Sequence, residues 1–260
     1  MRGKTALITG AAQGIGKRTA LSLAGLTGNV ILCDVKPTAD LAEELRAAGA
    51  KALELQGDVS DEEAVKGFAK SVRREFGGLD ILVNNAGISL IKPALETSVA
   101  DFRRVLEVNL IGPFLMCHEF GGMMLARGSG SIVNVASIAG LFGVSDRSAY
   151  NASKHGLVGL TRTLAAEWGG YGVRCNAVCP GWVKTEMDAA DQGSGSYNDA
   201  DITQRVPMGR FARTDDVSEL ICFLADSSKS GFVNGQAVAV DGGWTADASW
   251  ESLRLKHRRS

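Results

Sequence analysis

Residues 4–16 read "KTALITGAAQGIG", and the reading of this stretch decides the fold. Thr5 to Thr9 are short, mostly apolar and rich in β-branched side chains, the composition of a buried strand. Gly10, Gly14 and Gly16 then lead straight into a helical pattern. Glycine removes the steric penalty on a sharp turn and lets the backbone come close to a ligand, while a helix start offers free N–H groups to an anion. A bland alternative stays open at this point: a tight strand-to-helix turn with no ligand.

Moving outward, the same alternation recurs. "NVILCDV", "KALELQGDV", "LDILVNNAG", "GSIVNVAS", "GVRCNAVCPG" and "QAVAVDGG" are short β-rich runs, separated by helical segments such as "TADLAEELRAAG" and "EEAVKGFAKSVRREF". Strands joined through crossover helices must be parallel, and helices then cover both faces of the sheet. The expected fold is therefore α/β: a single Rossmann-type doubly wound domain with a mostly parallel seven-stranded sheet and helices on both faces. Ligands of such sheets bind outside the carboxyl ends of the strands, where the winding reverses. The domain is expected to cover residues 1–245, with a lid at about 186–205 and a C-terminal extension at 246–260.

The 260 residues are enough for one large core. A hydrophobic share of 45%, a charged share of 22% and five prolines place the chain among soluble globular proteins and exclude disordered or fibrous ones. No apolar run is long enough to span a bilayer, and the start of the chain runs directly into the first strand pattern without room for a signal peptide. The expectation is a cytoplasmic protein with no membrane partner. A net charge of -1 argues against a general polyanion surface and hence against nucleic acid, although "LRLKHRRS" at the end is locally basic. Cys33, Cys117, Cys175, Cys179 and Cys222 form no Cys-x-x-Cys pair and read as small hydrophobes, and His118, His155 and His257 lack metal-ligand spacing. No metal is expected.

The second strand pattern ends in Asp34, 18 residues beyond Gly16. A carboxylate there can accept hydrogen bonds from the ribose diol of a dinucleotide. Alone, Asp34 could equally be a turn or cap residue; together with the three glycines it favours the cofactor.

Further motifs complete a pattern: "GDV" with Asp58 and Val59, "NNAG" at 84–87, Asn109 in "VNL", Ser137 in "VAS", Tyr150 and Lys154, and "PGWVKT" at 180–185. With these and Thr-Gly-x-x-x-Gly-x-Gly at 9–16, the chain resembles the short-chain dehydrogenases/reductases of about this length, over nearly its whole extent. The resemblance implies cofactor binding by Thr9, Gly10, Gln13, Gly14, Ile15, Gly16 and Asp34, with Asp58 at the adenine edge beside Val59. It places Asn85, Ala86 and Gly87 along the cofactor channel, adds Pro180, Gly181 and Val183, and puts Thr185 on the nicotinamide carboxamide. It also implies that Lys154 bonds the nicotinamide ribose, that Ser137 bonds the substrate oxygen, and that Asn109 positions a water in a proton relay. A homotetramer, or a homodimer, is the implied assembly.

Within "SAYNASKHGLVGLTRTLAAEW", residues 148–168, a helix would put Tyr150 and Lys154 at i and i+4 on one face. A free phenol has a pKa of about 10, and a nearby cation lowers it. This makes Tyr150 the general acid/base and Lys154 its supporting cation, with Ser137 and Asn109 completing the catalytic set. A surface Tyr and Lys on an amphipathic helix is the bland alternative for the pair.

NAD is favoured over NADP, because Asp34 would repel the extra phosphate and the residue before Gly14 is neutral Gln13. Lys17, Arg18 and Lys36 are nearby cations, the first two expected to face solvent. The substrate pocket implied by the resemblance comprises residues 88–91 and 138–147, Trp182, and residues 186–205. That last segment is polar and Gly/Ser-rich, as in a mobile lid or a simple surface loop. Arg147 is expected to pair with Asp146 or solvent ahead of a substrate anion. The function expected is an NAD-dependent oxidoreductase moving hydride between nicotinamide and a small-molecule secondary alcohol or ketone: a sugar, polyol or hydroxy acid. The alternatives are a 3-oxoacyl-thioester (acyl carrier protein) reductase using NADPH and a redox-silent dinucleotide-sensing protein; the presence of Ser137, Tyr150 and Lys154 argues against the latter. In the tail, Trp244, Trp250, Leu253 and Leu255 alternate with Arg254, Lys256, Arg258 and Arg259, expected either to dock on a neighbouring subunit or to fray.

Overall fold

The strand Thr5–Thr9 (β1) turns through the glycine segment into the helix Gly14–Thr27 (α1), and this unit repeats. Asn29–Asp34 (β2), Ala39–Ala47 (α2), Lys51–Gln56 (β3), Glu62–Phe76 (α3) and Ile81–Asn84 (β4) follow. Next come Val99–Leu106 (α4), a π-helical turn at Glu107–Ile111, Gly112–Arg127 (α5), Gly130–Val135 (β5), Ser148–Trp168 (α6) and Val173–Pro180 (β6). Glu186–Gln192 (α7), Asp199–Arg205 (α8), Thr214–Ala225 (α9), Ser227–Ser230 (α10), Ala237–Val240 (β7) and Glu251–Lys256 (α11) complete the order. The computed structural model describes residues 1–193, 195 and 197–256; His257, Arg258 and Arg259 lie outside them.

The seven strands form one sheet in the order β3-β2-β1-β4-β5-β6-β7. Every pairing is parallel, so the sheet is fully and not mostly parallel: each strand is reached through a helical crossover, β7 included, which follows α9 and α10. The register stacks apolar residues in rows. Leu7 pairs with Ile31 and Leu82, Leu82 with Ile132, and Ile132 with Cys175. This row packs against Phe68 and Val72 of α3 and Met116 and Phe120 of α5. The next row, Ile8, Leu32, Val83 and Val133, points the other way onto Leu23 of α1 and Val217 and Ile221 of α9, as the two-residue period of a strand requires.

All five cysteines are buried and unpaired. Among the described residues no cluster of His, Cys, Asp or Glu could hold a metal ion, and no helix is long and apolar enough to cross a membrane.

Two segments go beyond the sequence expectation. Within the segment 186–205, residues 186–192 and 199–205 are helical: Thr185 Oγ1 accepts from Asp188 N (3.4 Å) to start α7, and Asn198 Oδ1 accepts from Ala200 N (2.8 Å) and Asp201 N (3.3 Å) to start α8. The described part of the tail, through Lys256, packs on its own chain. Arg205 of α8 donates to the Asp247 carbonyl (2.8 Å), Arg254 Nε donates to the Gln204 carbonyl (3.1 Å), and Arg205 covers the Trp244 ring at 4.7 Å. Trp250 stays 69% exposed.

Candidate active site

β1 has β2 on one side and β4 on the other, so the loops leaving β1 and β4 diverge and open a cleft at the carboxyl edge of the sheet. The cleft encloses about 420 Å³. Gly10, Gln13, Gly14, Ile15, Asp34, Asp58, Val59, Asn85, Ala86 and Gly87 line one part of it. Ser137, Tyr150, Lys154, Pro180, Gly181, Val183 and Thr185 line the rest.

The glycine turn is shaped by close approach. A Cβ on Gly16 would lie 2.0 Å from the Gly10 carbonyl oxygen, so only glycine lets α1 start so near the end of β1. Gln13 makes no side-chain cap and the first turn of α1 carries no acidic residue, leaving the first N–H groups of this helix open to an anion. Asp34 Oδ2 accepts from Ala12 N and its Oδ1 from Lys36 N, both at 2.9 Å, which fixes the carboxylate at the mouth of the turn. Lys36 Nζ donates to Gln13 Oε1 at 2.6 Å, and Arg18, expected in solvent, pairs with Asp215 at 2.8 Å. At the far end Asp58 accepts from Ser60 N and Oγ and from Arg104 Nη2 (2.7 Å). Burial works to raise its pKa, but these hydrogen bonds hold the carboxyl below its ordinary value.

Three residues of the expected set do not line the cleft and instead build its wall. Thr9 Oγ1 accepts from Asn85 N and Ala86 N, both at 3.0 Å, and Asn85 Nδ2 returns hydrogen bonds to the carbonyls of Thr9 (2.9 Å) and Gly10 (3.1 Å). Gly16 lies behind Gly10. Asn109, fully buried in the π-helical turn, accepts from Ile88 N (2.8 Å) and donates to Ile88 O (2.9 Å) and Ser153 Oγ (3.2 Å). Its amide fixes the loop after β4.

Ser137 ends the run after β5, and its Oγ accepts from Ala139 N at 3.1 Å. One turn of α6 brings Tyr150 and Lys154 to the same wall, with Lys154 Nζ 5.6 Å from the Tyr150 ring centre and donating to the Val135 carbonyl at 2.8 Å. Burial lowers the Lys154 pKa to about 8. Burial also raises that of Tyr150, against the opposing pull of Ser137 and the Arg147 charge. The sequence expectation gave the lowering to Lys154, with the charge of a bound nicotinamide adding to it; here the cation that acts against burial is Arg147.

Arg147 departs further from expectation. It is buried and pairs not with Asp146 but with Asp191 of α7 (3.1 Å) and Ser89 (2.9 Å), between the rings of Tyr150 and Trp182. It is the N-cap residue of α6, directly before the turn that carries Tyr150. Trp182 in turn packs on Tyr197 (4.9 Å) and Trp244 (5.9 Å), joining the cleft wall to the segment between α7 and α8 and to the tail.

A family model described as enoyl-(acyl carrier protein) reductase matches residues 10–245. Cis-4-hydroxycyclohexanecarboxylate dehydrogenase of Sinomonas cyclohexanicum is 44% identical over 245 residues, covering 94% of this chain and 97% of the relative. The chain belongs to the short-chain dehydrogenase/reductase family. As a member it is an oxidoreductase acting on CH–OH groups. D-threitol dehydrogenase of Mycolicibacterium smegmatis is 41% identical, over 94% of this chain and 93% of its own. Among solved structures, a gluconate 5-dehydrogenase from Burkholderia cenocepacia J2315 in complex with NADP and tartrate superposes with a TM-score of 0.90. It is 32% identical, covering 95% of this chain and 97% of that one.

Proposed function

We propose that the enzyme is an NAD-dependent dehydrogenase interconverting a secondary alcohol and its ketone, with a sugar, polyol or hydroxy acid as substrate. The observation that carries the reading is the meeting, in one cleft, of Ser137, Tyr150 and Lys154 with the open start of α1 and the Asp34 carboxylate. The cleft fits a nicotinamide dinucleotide: the uncapped α1 terminus suits a pyrophosphate, and Asp34, held by two backbone N–H groups, keeps acceptor capacity for a ribose diol. When bound, that cofactor supplies the hydride acceptor and donor.

The chain's own residues handle the proton. Tyr150 takes it from the alcohol in oxidation and returns it to the forming alkoxide in reduction. Ser137 holds the substrate oxygen beside the phenol. Lys154, tied to the Val135 carbonyl and with its pKa lowered by burial, reaches toward the cofactor ribose, while the Arg147 charge favours the ionised phenol. Asn109 is a positioning residue that acts through Ile88. Thr185, Val183, Pro180 and Gly181 form the nicotinamide end, and Asp58 and Val59 the adenine end.

NAD is preferred in this reading because a fixed Asp34 carboxylate opposes a 2′-phosphate. The NADP found in the Burkholderia structure supports the competing choice, as does Lys36 nearby. Comparing kcat/KM for both cofactors in wild type and Asp34→Ala decides it: the expected result is NAD preference in wild type, weakened in the variant, and wild-type preference for NADP overturns it. A panel of secondary alcohols with NAD+, beside acetoacetyl thioesters with NADPH, separates the alcohol dehydrogenase from the thioester reductase. The five unpaired thiols support a reducing, cytoplasmic setting. Ile111 and Phe114, 38% and 43% exposed beside α5, support burial in a homotetramer, checked by analytical ultracentrifugation.

A further inference from the structure

The cleft holds a second cation, whose charge favours the ionised Tyr150 and which lines the same space as Ser137 and Tyr150. Arg147 is 8% exposed, with its guanidinium carbon 5.8 Å from the Tyr150 ring centre and 5.4 Å from that of Trp182. The backbone aims it there. Asp146, just before it, has φ 59, the sole positive value among the described non-glycine residues, and its carbonyl accepts from Lys92 N at 2.7 Å. A left-handed residue of this kind persists where its surroundings over-determine it, and such residues cluster at ligand clamps.

The contacts of the guanidinium are single-atom ones. Nη1 donates to Ser89 Oγ at 2.9 Å, Nη2 donates to Asp191 Oδ2 at 3.1 Å, and Ser89 Oγ donates to the same Asp191 oxygen at 3.0 Å. A guanidinium fork pairs best with both oxygens of one carboxylate. The other acid of this wall, Asp188, is committed to Lys184 (3.3 Å) and the Tyr197 hydroxyl (2.9 Å).

We infer that Arg147 anchors a carboxylate of the substrate, and that Asp191 of α7 occupies this anchor until the substrate's carboxylate replaces it. The inference rests on the alcohol–ketone reading and narrows its substrate class to hydroxy acids. A buried guanidinium left without a counter-charge is costly, so Arg147 keeps one throughout the exchange, the displaced Asp191 carboxylate, already 15% exposed, turning out to solvent. A neutral polyol offers no such exchange and leaves the Arg147–Asp191 pair in place. Because the Arg147 guanidinium carbon lies 5.8 Å from the Tyr150 ring centre, a substrate hydroxyl at the phenol leaves its carboxylate within reach of the guanidinium, with Trp182 flanking the apolar body between them.

The test is calorimetric binding of cyclohexanecarboxylate and of its neutral carboxamide to the full-length protein, beside oxidation kinetics of the matching 4-hydroxy acid and 4-hydroxy amide. Wild type is expected to bind the acid about 10- to 100-fold more tightly than the amide, the range of a charge-assisted pair. Arg147→Met abolishes that preference, Arg147→Lys keeps part of it, and Asp191→Asn tightens the acid several-fold by removing its competitor. Equal binding of acid and amide by wild type, or a preference surviving Arg147→Met, overturns the anchor. Should Arg147→Met not fold, the wild-type comparison and Asp191→Asn decide alone. Binding preference without oxidation of either alcohol keeps the anchor and removes the alcohol–ketone reading; equal oxidation of both with no binding preference does the reverse.

Discussion

A lysine buried beside a phenol is an unusual expense, and Lys154 shows its sign. Its pKa in the folded chain is about 8, below the unfolded value of about 10.4. Between these values the unfolded chain holds more protons than the folded one, so this group makes stability rise with pH from about 8 to 10. Below pH 8 the penalty is fully present, about 3 kcal/mol from the shift alone. A Lys154→Met variant lacks it. Its melting temperature relative to wild type is expected to be most favourable at pH 7 and to lose ground steadily toward pH 10; a difference that stays constant over that range contradicts the assignment. Tyr150 and Lys154 were legible in the sequence because a four-residue spacing on a helix is a local rule. The balance of charges around them was not, because burial and the Asp191 partner of Arg147 come from segments far apart in the chain.

The glycine turn and the α7–α8 pair show the two sides of local sequence signals. Gly16 could be read as a close-approach position from its place after a strand, and the structure gives the distance: a Cβ at 2.0 Å from a backbone oxygen. Gly16→Ala is expected to destabilise the protein by about 3 kcal/mol or more, since backbone and not a side chain must yield. Chemical denaturation measures this, and a loss under about 1 kcal/mol would show that the loop adapts. For α7 and α8 the polar, glycine-containing composition suggested a loop. The counter-signal lay in the same residues: Thr185 and Asn198 are each followed three positions later by an aspartate, the arrangement of a capped helix start.

At the scale of the whole molecule, the seven-stranded order and both helical layers followed from strand–helix alternation, which forces crossovers and hence parallel strands. The path of the tail did not, because nothing in its periodicity says what it packs against. Asp247 and Arg254 hold Arg205 and Gln204 of α8, while Trp244 leans on Trp182 at the cleft wall. Deleting residues 250–260 is expected to leave dinucleotide affinity unchanged and to raise substrate KM several-fold, read by steady-state kinetics beside fluorescence titration of NADH; full-length KM in the truncated enzyme contradicts this role. The measurement that bears most directly on the enzyme's proposed chemistry is turnover by Tyr150→Phe, which keeps the aromatic body and removes one hydroxyl. With NADH binding retained, kcat for alcohol oxidation should fall by at least about 100-fold, the usual contribution of a general acid/base. A variant that binds NADH and turns over at the wild-type rate would mean that Tyr150 does not carry the proton.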